Sequence, residues 1–282
     1  MSARTRANPR PALFVLLILV AVVLAWVAVR LLGSSPPEQP VAAPEPLEPE
    51  PVTPTLDFTG FDPGNIISDD VFYHSEAMNQ EQVAAFIAEV NHGCRTGDAP
   101  CLADYREDSL TFPANDYCFE FTGQSNDSAA AIIDRAAKSC GVNPQVVLVM
   151  LQKEQGLLTA SSYNLTPGRY DIAMGYGCPD TANCDPQFFG FSNQVYHAAL
   201  QLRRYANEPG LYSFQPQMDN SISYHPDPAC GEGTVWIENY ATAGLYNYTP
   251  YQPDEAALAG TPGPCSSVGN LNFYAYFRAW FG

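Results

Sequence analysis

An unbroken apolar run near the N-terminus decides how much of this 282-residue chain can form a soluble core. It extends from Pro11 to Val29, and as a helix rising about 1.5 Å per residue it would reach about 28 Å, enough to cross the hydrocarbon core of a bilayer. Arginines lie just before it, which predicts a cytoplasmic N-terminus and an exported remainder. We therefore predict a single-pass membrane protein, with a cytoplasmic segment at residues 1–10 and a transmembrane signal anchor at 11–32.

A cleaved signal peptide is the alternative to this anchor. The apolar region of such a peptide is usually about 7–15 residues long and ends in small residues at the cleavage site. Here the run is longer and Arg30 follows it, and the small residues nearest downstream are followed by Pro44, which hinders cleavage. The sequence favours the anchor, and clipping after export stays an open alternative.

The segment at residues 33–56 is rich in proline and glutamate, which predicts an extended linker and no packed core. At about 3.1 Å per residue it would reach about 70 Å from the membrane, far enough to meet material above it such as a cell wall. The residues that follow are numerous enough for a substantial core. We predict an N-terminal lobe or wrap at 57–121 and a second domain at 122–282.

All eight cysteines lie beyond the linker, in the part predicted to be exported. An even number of cysteines in such a region indicates disulfides, although spacing alone leaves many pairings open. Pairing between near neighbours predicts the bonds Cys94–Cys101, Cys118–Cys140, Cys178–Cys184 and Cys230–Cys265. Zinc ligation is the alternative, but the chain has no CxxC pair and its four histidines are scattered, so we predict no metal site and no cofactor.

The formal net charge of −17 bears on the class of partner. A surface this acidic disfavours nucleic acids and other anionic polymers as ligands, so we expect no nucleic-acid partner. It suits a neutral glycan, and it also serves solubility without any ligand. The sequence leaves the oligomeric state open.

Apolar residues at helical spacing predict a mainly α (α+β) fold. A capping box is predicted from Asn79 and Gln82, and Gly141 is placed to end a helix. The segments at 170–191 and 211–234 are rich in turn-forming residues and predict loops or short hairpins. The predicted helices are 80–90, 128–140, 144–158, 193–206, 235–247 and 271–281.

The helix predicted at 144–158 is largely apolar but carries one carboxylate, on Glu154. At about 100° per residue, Glu154 points the same way as Met150 and Leu151. A carboxyl among apolar side chains is costly to ionise, so we expect it to stay protonated near neutral pH, as the general acid of a glycosidase does. The structural alternative is that Glu154 turns outward or meets a cation such as Arg203 or Arg204.

Three short motifs occur in an order that resembles the lysozyme-like superfamily of lytic transglycosylases and goose-type lysozymes. KEQG at 153–156 resembles the motif of the catalytic acid, and AMGYG at 173–177 resembles the Gly-Leu-Met-Gln loop that lines the sugar cleft. AGLYNYTPY at 243–251 resembles the Ala-Tyr-Asn-Ala-Gly motif that closes it. The resemblance covers residues 128–282, and its departures are Gln155, Tyr176, Gly177 and Tyr248. FDPGNIISD at 61–69 also resembles exported actinobacterial proteins, which implies a bacterial surface location.

The resemblance implies a lysozyme-like helical domain that cleaves the glycan of peptidoglycan, with Glu154 as general acid and then base. In a lytic transglycosylase one acid suffices, because the N-acetyl group of the substrate stabilises the intermediate. A hydrolase needs an activated water and usually a second carboxylate, for which Asp171 and Asp180 are the nearest choices. Both aspartates also suit ordinary turn capping. The substrate-binding residues that the resemblance implies are Gln155, Met174, Gly175, Tyr176, Tyr246, Asn247 and Tyr251.

Three functions are therefore open for the exported part. The first is peptidoglycan cleavage, as lytic transglycosylase or muramidase. The second is a non-catalytic module on the same fold that binds cell-wall glycan or a surface protein, which the departures at Gln155 and Tyr176 favour. The third is a structural or assembly role in the envelope. Cleavage requires Glu154 to face a cleft, whereas the structural role predicts no cleft there.

Overall fold

The computed structural model describes residues 20–27, 30, 50–180 and 182–282. Residues 20–27 are helical and belong to a first unit, residues 1–47, whereas residues 48–282 form a second, much larger unit. No helix within the described ranges is both long and apolar enough to cross a membrane. Most of the predicted anchor and of the predicted linker lies outside the described residues.

The second unit is mainly helical with two small antiparallel sheets, which confirms the predicted fold class. Its strands are β1 (Arg106–Glu107), β2 (Asp127–Ser128), β3 (Met218–Ser223) and β4 (Glu232–Ile237), paired β1 with β2 and β3 with β4. Short 3₁₀ turns join the longer elements. The helices are α1 (Asp69–Phe72), α2 (Gln80–Val90), α3 (Ala129–Cys140), α4 (Pro144–Gln155), α5 (Pro167–Asp171), α6 (Phe191–Asn207), α7 (Tyr240–Tyr248), α8 (Glu255–Leu258) and α9 (Gly269–Phe281).

Helix α4 lies at the centre of the core. Its residues from Val146 to Gln152 are all buried, as expected for a helix that is apolar on nearly every side, and α3 and α9 pack against it. Asn143 caps its start, and the Asn143 amide also donates to the carbonyl of Val71, 2.8 Å away. The helix ends at Gln155, three residues before the predicted end, and Gly156 caps it with a φ of +62° that suits a glycine. Glu154 therefore lies in the last turn, where the helix leaves the core.

The other helices surround this centre. Helix α3 packs against α2 and α6, and α6 packs against α7. The capping box of Asn79 and Gln82 at the start of α2 is confirmed, as is Gly141 at the end of α3. Helix α6 has an apolar face that includes Phe191, Val195 and Leu202, all fully buried. The core is therefore a helix bundle around α4.

The predicted helix at 235–247 is wrong in its first half. Val235 and Ile237 are buried and Trp236 between them is exposed, which is the two-residue period of a strand. These residues belong to β4, which pairs with β3 in the register Asp219 to Trp236. Helix α7 begins only after Asn239, whose side chain accepts a hydrogen bond from the Thr242 backbone and caps the helix.

Residues 57–121 contribute to the same core as the helices that follow. Phe72 is fully buried in it. The backbone N–H of Ile66 donates to the Thr242 hydroxyl, 3.0 Å away. The Asp69 carboxylate accepts from the N–H of Ala241 at 2.7 Å, in the first turn of α7, where the helix dipole favours an anion. These contacts place the segment against α7 and α4.

All four predicted disulfides form, and they join Cys94 to Cys101, Cys118 to Cys140, Cys178 to Cys184 and Cys230 to Cys265. The second bond attaches the segment before α3 to the last residue of α3, and the fourth attaches the end of the β3–β4 hairpin to the segment before α9. Four disulfides are typical of a domain that matures outside the cytoplasm. They indicate that the second unit is extracellular.

Candidate functional site

Glu154 lies in a surface cleft of about 310 Å³, which we call the glutamate cleft. Segments that are distant in sequence form its walls: the end of α4, the loop at 172–180, residues 248–251 at and after the end of α7, and the start of α9. The cleft is lined by Lys153, Glu154, Gln155, Ile172, Gly175, Cys178, Asp180, Tyr248, Thr249, Pro250, Tyr251 and Gly269. All three predicted motifs thus contribute to one cavity.

Glu154 is paired with Lys153. The Lys153 ammonium donates to Oε1 of Glu154 and to the hydroxyl of Thr249, the latter at 2.7 Å, and it lies 6.0 Å from the ring centre of Tyr248. The side chain of Lys153 is 4% exposed and that of Glu154 is 22% exposed. The expectation of an unpaired carboxyl among apolar side chains is therefore wrong, because the last turn of α4 emerges into a polar cleft.

The cation that meets Glu154 differs from those the sequence suggested. Arg203 instead donates to the carbonyl of Cys140 at 2.8 Å and lies over the ring of Tyr73. Arg204 pairs with Glu208, four residues later and just beyond the last residue of α6. Both arginines project from α6 and are engaged there.

The backbone of Gly175 lies directly against the free side of the Glu154 carboxylate. A Cβ at Gly175 would lie 3.1 Å from Oε2, and its φ of +68° also favours glycine. The loop is held by Gln194, a fully buried residue of α6 whose Oε1 accepts from the N–H groups of Met174 and Tyr176, each at 3.1 Å. This clamp fixes the loop against the carboxylate.

Tyr248 attaches α7 to the same loop. Its hydroxyl donates to the carbonyl of Met174 at 2.8 Å, and burial together with the nearby Glu154 raises the pKa of Tyr248 well above its usual value. The phenol is therefore neutral and acts as a donor. Tyr246 was predicted to contact the substrate, but it is fully buried in the core, and so is the side chain of Met174. Two residues along a helix are about 200° apart, so Tyr246 and Tyr248 face opposite sides of α7.

A second carboxylate shares the cleft with Glu154. The Tyr251 hydroxyl donates to Asp180 at 2.7 Å, and burial with the neighbouring Asp180 raises the pKa of Tyr251 to about 12. Asp171, also predicted as a second catalytic group, lies at the end of α5 and does not line the cleft. Its carbonyl accepts from the N–H of Gly190 at 3.1 Å. Asp180 is thus the carboxylate that the fold places beside the predicted acid.

An aromatic cleft of about 470 Å³ adjoins the glutamate cleft, since Gly175, Cys178 and Tyr248 line both. Tyr176 stacks on His197, with ring centres 5.5 Å apart, and burial lowers the pKa of His197, which keeps that ring neutral at pH 7. The aromatic cleft is lined by Gly175, Tyr176, Gly177, Cys178, Pro179, Phe188, Gln201, Tyr205, Asn247 and Tyr248.

Residues 65–282 match the protein family described as LasA, N-terminal domain. The chain belongs to this family. The matched range includes both clefts and all four disulfides. Neither a search of curated proteins nor a search of solved structures gave a significant match. The family relates the chain to cell-wall enzymes, and the lysozyme-like assignment is finer than this match supports.

Within the LasA N-terminal domain, the predicted substrate-binding residues divide into three groups. Gln155, Gly175 and Tyr251 line the glutamate cleft, and Gly175 also lines the aromatic cleft together with Tyr176 and Asn247. The Asn247 amide is already engaged by the backbone of Phe214, at 2.7 and 3.0 Å. Met174 and Tyr246 lie in the core. Roles in binding or catalysis stay predictions for the residues that line the clefts.

Three residues of the LasA N-terminal domain that shape the site escaped the sequence analysis. Lys153 lies inside the KEQG motif, directly after a run of buried residues. A lysine at such a position is the sequence feature that could have identified it. Gln194 is a polar residue on the apolar face of α6, a position that is typical of a side chain bonding a loop. Thr249 carries no recognisable signal, because its contact with Lys153 joins residues 96 apart in the chain.

The disulfide Cys178–Cys184 closes the outer end of the loop that both clefts of the LasA N-terminal domain share. We expect replacement of both cysteines by serine to cost only about 2 kcal/mol of stability, because the closed loop is short. Amide hydrogen exchange of residues 175–184 should accelerate while exchange in α4 stays unchanged. The matched control replaces Cys230 and Cys265 by serine. Their sequence separation of 35 predicts a larger loss of stability, about 4 kcal/mol. Unchanged exchange in the loop would contradict the prediction.

Proposed function

We propose that this chain is an exported, cell-wall-facing protein that binds the glycan of peptidoglycan in the glutamate cleft and cleaves it with Glu154 as general acid. One observation carries the proposal. The segments at 153–156, 173–177 and 243–251, which resemble lysozyme-like motifs, meet at one cleft around Glu154. LasA, for which the family is named, is a secreted protease that cleaves peptidoglycan, so the family supports a cell-wall setting.

The proposed chemistry uses the carboxylate oxygen that Lys153 does not hold. Oε2 of Glu154 faces the loop at Gly175, which also lines the cleft. In its protonated form, Glu154 gives its proton to the glycosidic oxygen, the bond to the anomeric carbon breaks, and the carboxylate then serves as base in the second step. The N-acetyl group of the sugar stabilises the intermediate in a transglycosylase. In a hydrolase, Asp180 would activate the incoming water.

The surrounding tyrosines support a sugar as the ligand. Tyr248 and Tyr251 line the glutamate cleft, and Tyr176 and Tyr205 line the adjoining aromatic cleft. Aromatic faces with a polar edge suit the apolar faces and hydroxyl groups of sugars. An acidic, tyrosine-lined cleft also disfavours nucleic acid, so we retain a neutral glycan as the proposed partner.

Binding without cleavage is the second candidate, and the Lys153–Glu154 pair favours it. A nearby ammonium stabilises the ionised form of a carboxylate, whereas a general acid must carry a proton. In this alternative the pair fixes the wall of the cleft, and the tyrosines hold the glycan without reaction. Both candidates place the second unit outside the membrane, with residues 11–32 as its proposed anchor and 33–56 as its proposed spacer.

Incubation of the oxidised full chain with bacterial peptidoglycan tests the proposal. Muropeptides released into the supernatant are identified by mass spectrometry, with peptidoglycan alone as the control. Anhydro ends on the products would identify a lytic transglycosylase, and hydrated reducing ends would identify a muramidase. We expect one of these two product classes. Folded protein that sediments with the walls and releases nothing would refute cleavage and leave the binding module.

A further inference from the structure

The aromatic cleft has no part in the chemistry proposed for Glu154, although it is the larger of the two clefts. Among the described residues that line it, none carries a charged side chain. Burial raises the pKa of Tyr176, and burial raises the pKa of Tyr205 to about 12, so both phenols are neutral at pH 7. The glutamate cleft differs, because Lys153 and Asp180 line it beside Glu154. The two clefts therefore offer different chemistry to a ligand.

Contacts within the protein hold the rings of the aromatic cleft in place. Tyr176 stacks on His197 and lies nearly perpendicular to Phe188, with the ring centres of Tyr176 and Phe188 4.8 Å apart. Phe188 packs against the backbone of Gly177, where an added Cβ would lie 2.7 Å from the phenyl ring. The Tyr205 hydroxyl donates to a backbone carbonyl near the end of α7, 3.0 Å away. A binding surface that is already ordered loses little entropy when a ligand binds to it.

We propose that the aromatic cleft is a subsite for the unsubstituted N-acetylglucosamine residues of peptidoglycan, and that it excludes the sugars that carry the stem peptide. The inference rests on the proposed function, because it takes the glycan as the ligand. Aromatic rings suit the apolar C–H faces of a sugar, and Tyr176 and Gln201 supply polar groups for its hydroxyls. The volume of the cleft lies within the range of small-molecule sites in proteins.

The lack of charge in the lining of this cleft argues against the peptide part of peptidoglycan as its ligand. Alternate sugars of peptidoglycan bear a stem peptide with free carboxylates and amines. Burial of such a charge costs free energy unless an opposite charge or hydrogen bonds compensate it. Arg204, next to Tyr205 in sequence, pairs with Glu208 and does not line the cleft. An unsubstituted sugar is neutral and meets no such cost.

The aromatic cleft directly adjoins the glutamate cleft, because Gly175, Cys178 and Tyr248 line both. The Tyr248 hydroxyl donates to the carbonyl of Met174, so α7 and the loop are attached to each other where the clefts meet. A glycan of several sugars is long enough to reach from one cleft to the other. Affinity should therefore increase with glycan length until both clefts are filled.

Titration of the oxidised full chain with the neutral N-acetylglucosamine tetrasaccharide tests the inference without any need for cleavage. Binding is followed by NMR of ¹³C-labelled tyrosine rings. We expect the signals of Tyr176 and Tyr205 to shift, and those of Tyr163, which is 86% exposed and lines neither cleft, to stay unchanged. N-acetylmuramyl dipeptide, a single sugar with a charged peptide, should leave all three unchanged. A response of Tyr176 to the muramyl peptide, or none to the tetrasaccharide, would overturn the inference.

Variants of the aromatic cleft test its role in affinity, measured by calorimetry. Tyr176→Leu should weaken tetrasaccharide binding about tenfold, because the sugar loses an aromatic ring. Tyr176→Phe keeps the ring and should restore most of the affinity, which separates loss of the ring from a general defect. Tyr163→Leu is the matched control and should bind as the wild type does. If Tyr176→Leu does not fold, Tyr205→Leu takes its place, with the same expected loss.

Glycan length gives a readout that a merely structural role of Tyr176 would not change. Wild-type affinity should increase from the N-acetylglucosamine disaccharide to the tetrasaccharide, and Tyr176→Leu should lose this increase. If binding depends on Tyr176 while the wild type releases no muropeptides, the subsite stands and cleavage is refuted. If the wild type releases muropeptides while Tyr176→Leu binds the tetrasaccharide equally tightly, the subsite is overturned and the proposed function stands.

Discussion

Replacement of Glu154 by glutamine is expected to lower the rate of muropeptide release by about 10²–10⁴-fold. The amide has nearly the shape of the carboxyl, and its oxygen can still accept a hydrogen bond from Lys153, but it cannot deliver the proton that the leaving oxygen needs. The cleft should keep its walls, so sedimentation of the variant with intact walls should match the wild type. Release rates at saturating peptidoglycan, read by mass spectrometry, measure the effect.

Asp171→Asn is the matched control for this variant. It makes the same change from carboxylate to amide at a residue outside the glutamate cleft, so its release rate should stay close to that of the wild type. Asp180→Asn distinguishes the two routes of cleavage, because a hydrolase that uses Asp180 loses rate and a transglycosylase retains most of it. Full activity in folded Glu154→Gln would exclude Glu154 as the acid. Equal loss in Asp171→Asn would place the chemistry elsewhere.

Replacement of Leu148 by alanine is expected to lower the free energy of unfolding by about 3 kcal/mol. Leu148 is fully buried in the middle of α4, where α3 and α9 close around the helix. The loss combines the transfer of apolar surface with a cavity that the surrounding helices fill only in part. Urea unfolding of the full chain with its disulfides intact measures the change, followed by far-UV circular dichroism.

Leu211→Ala removes the same atoms at the surface. Leu211 is 68% exposed in a 3₁₀ turn after α6, so its replacement should change stability by no more than about 0.5 kcal/mol. Since α4 also carries Glu154, the core variant should accelerate hydrogen exchange in the last turn of that helix. A similar loss of stability in both leucine variants would contradict the central position of α4.

Local patterns in the sequence were sufficient for much of the fold. Cap positions at Asn79 and Gly141 depend on contacts within a few residues, so their motifs define them without tertiary information. Disulfides between near neighbours follow similarly from short separations. Short apolar runs are different, because a run of a few residues has no unambiguous period. The segment before Asn239 therefore became a predicted helix although it pairs as β4.

The candidate site likewise combines features that local motifs predict with contacts that only tertiary packing determines. The three motifs predicted a cleft around Glu154, and their order in the chain indicated that they belong together. Which tyrosine reaches the cleft depends on the rotation of α7 against the core, and a shift of two residues exchanges Tyr246 for Tyr248. Asp171 is nearer to Glu154 in sequence than Asp180 is, but the path of the loop between the two aspartates brings Asp180 to the cleft.

By itself, the sequence predicted the disulfide framework, most helix boundaries and the identity of the carboxylate at the end of the central helix. These features arise from composition, periodicity and contacts between near neighbours. Only the tertiary structure decided the environment of that carboxylate. Its partner Lys153 is oriented by Thr249, 96 residues later in the chain, and Gln194 holds the loop that lies against its other oxygen. Such contacts are made when distant segments pack, so no local pattern contains them.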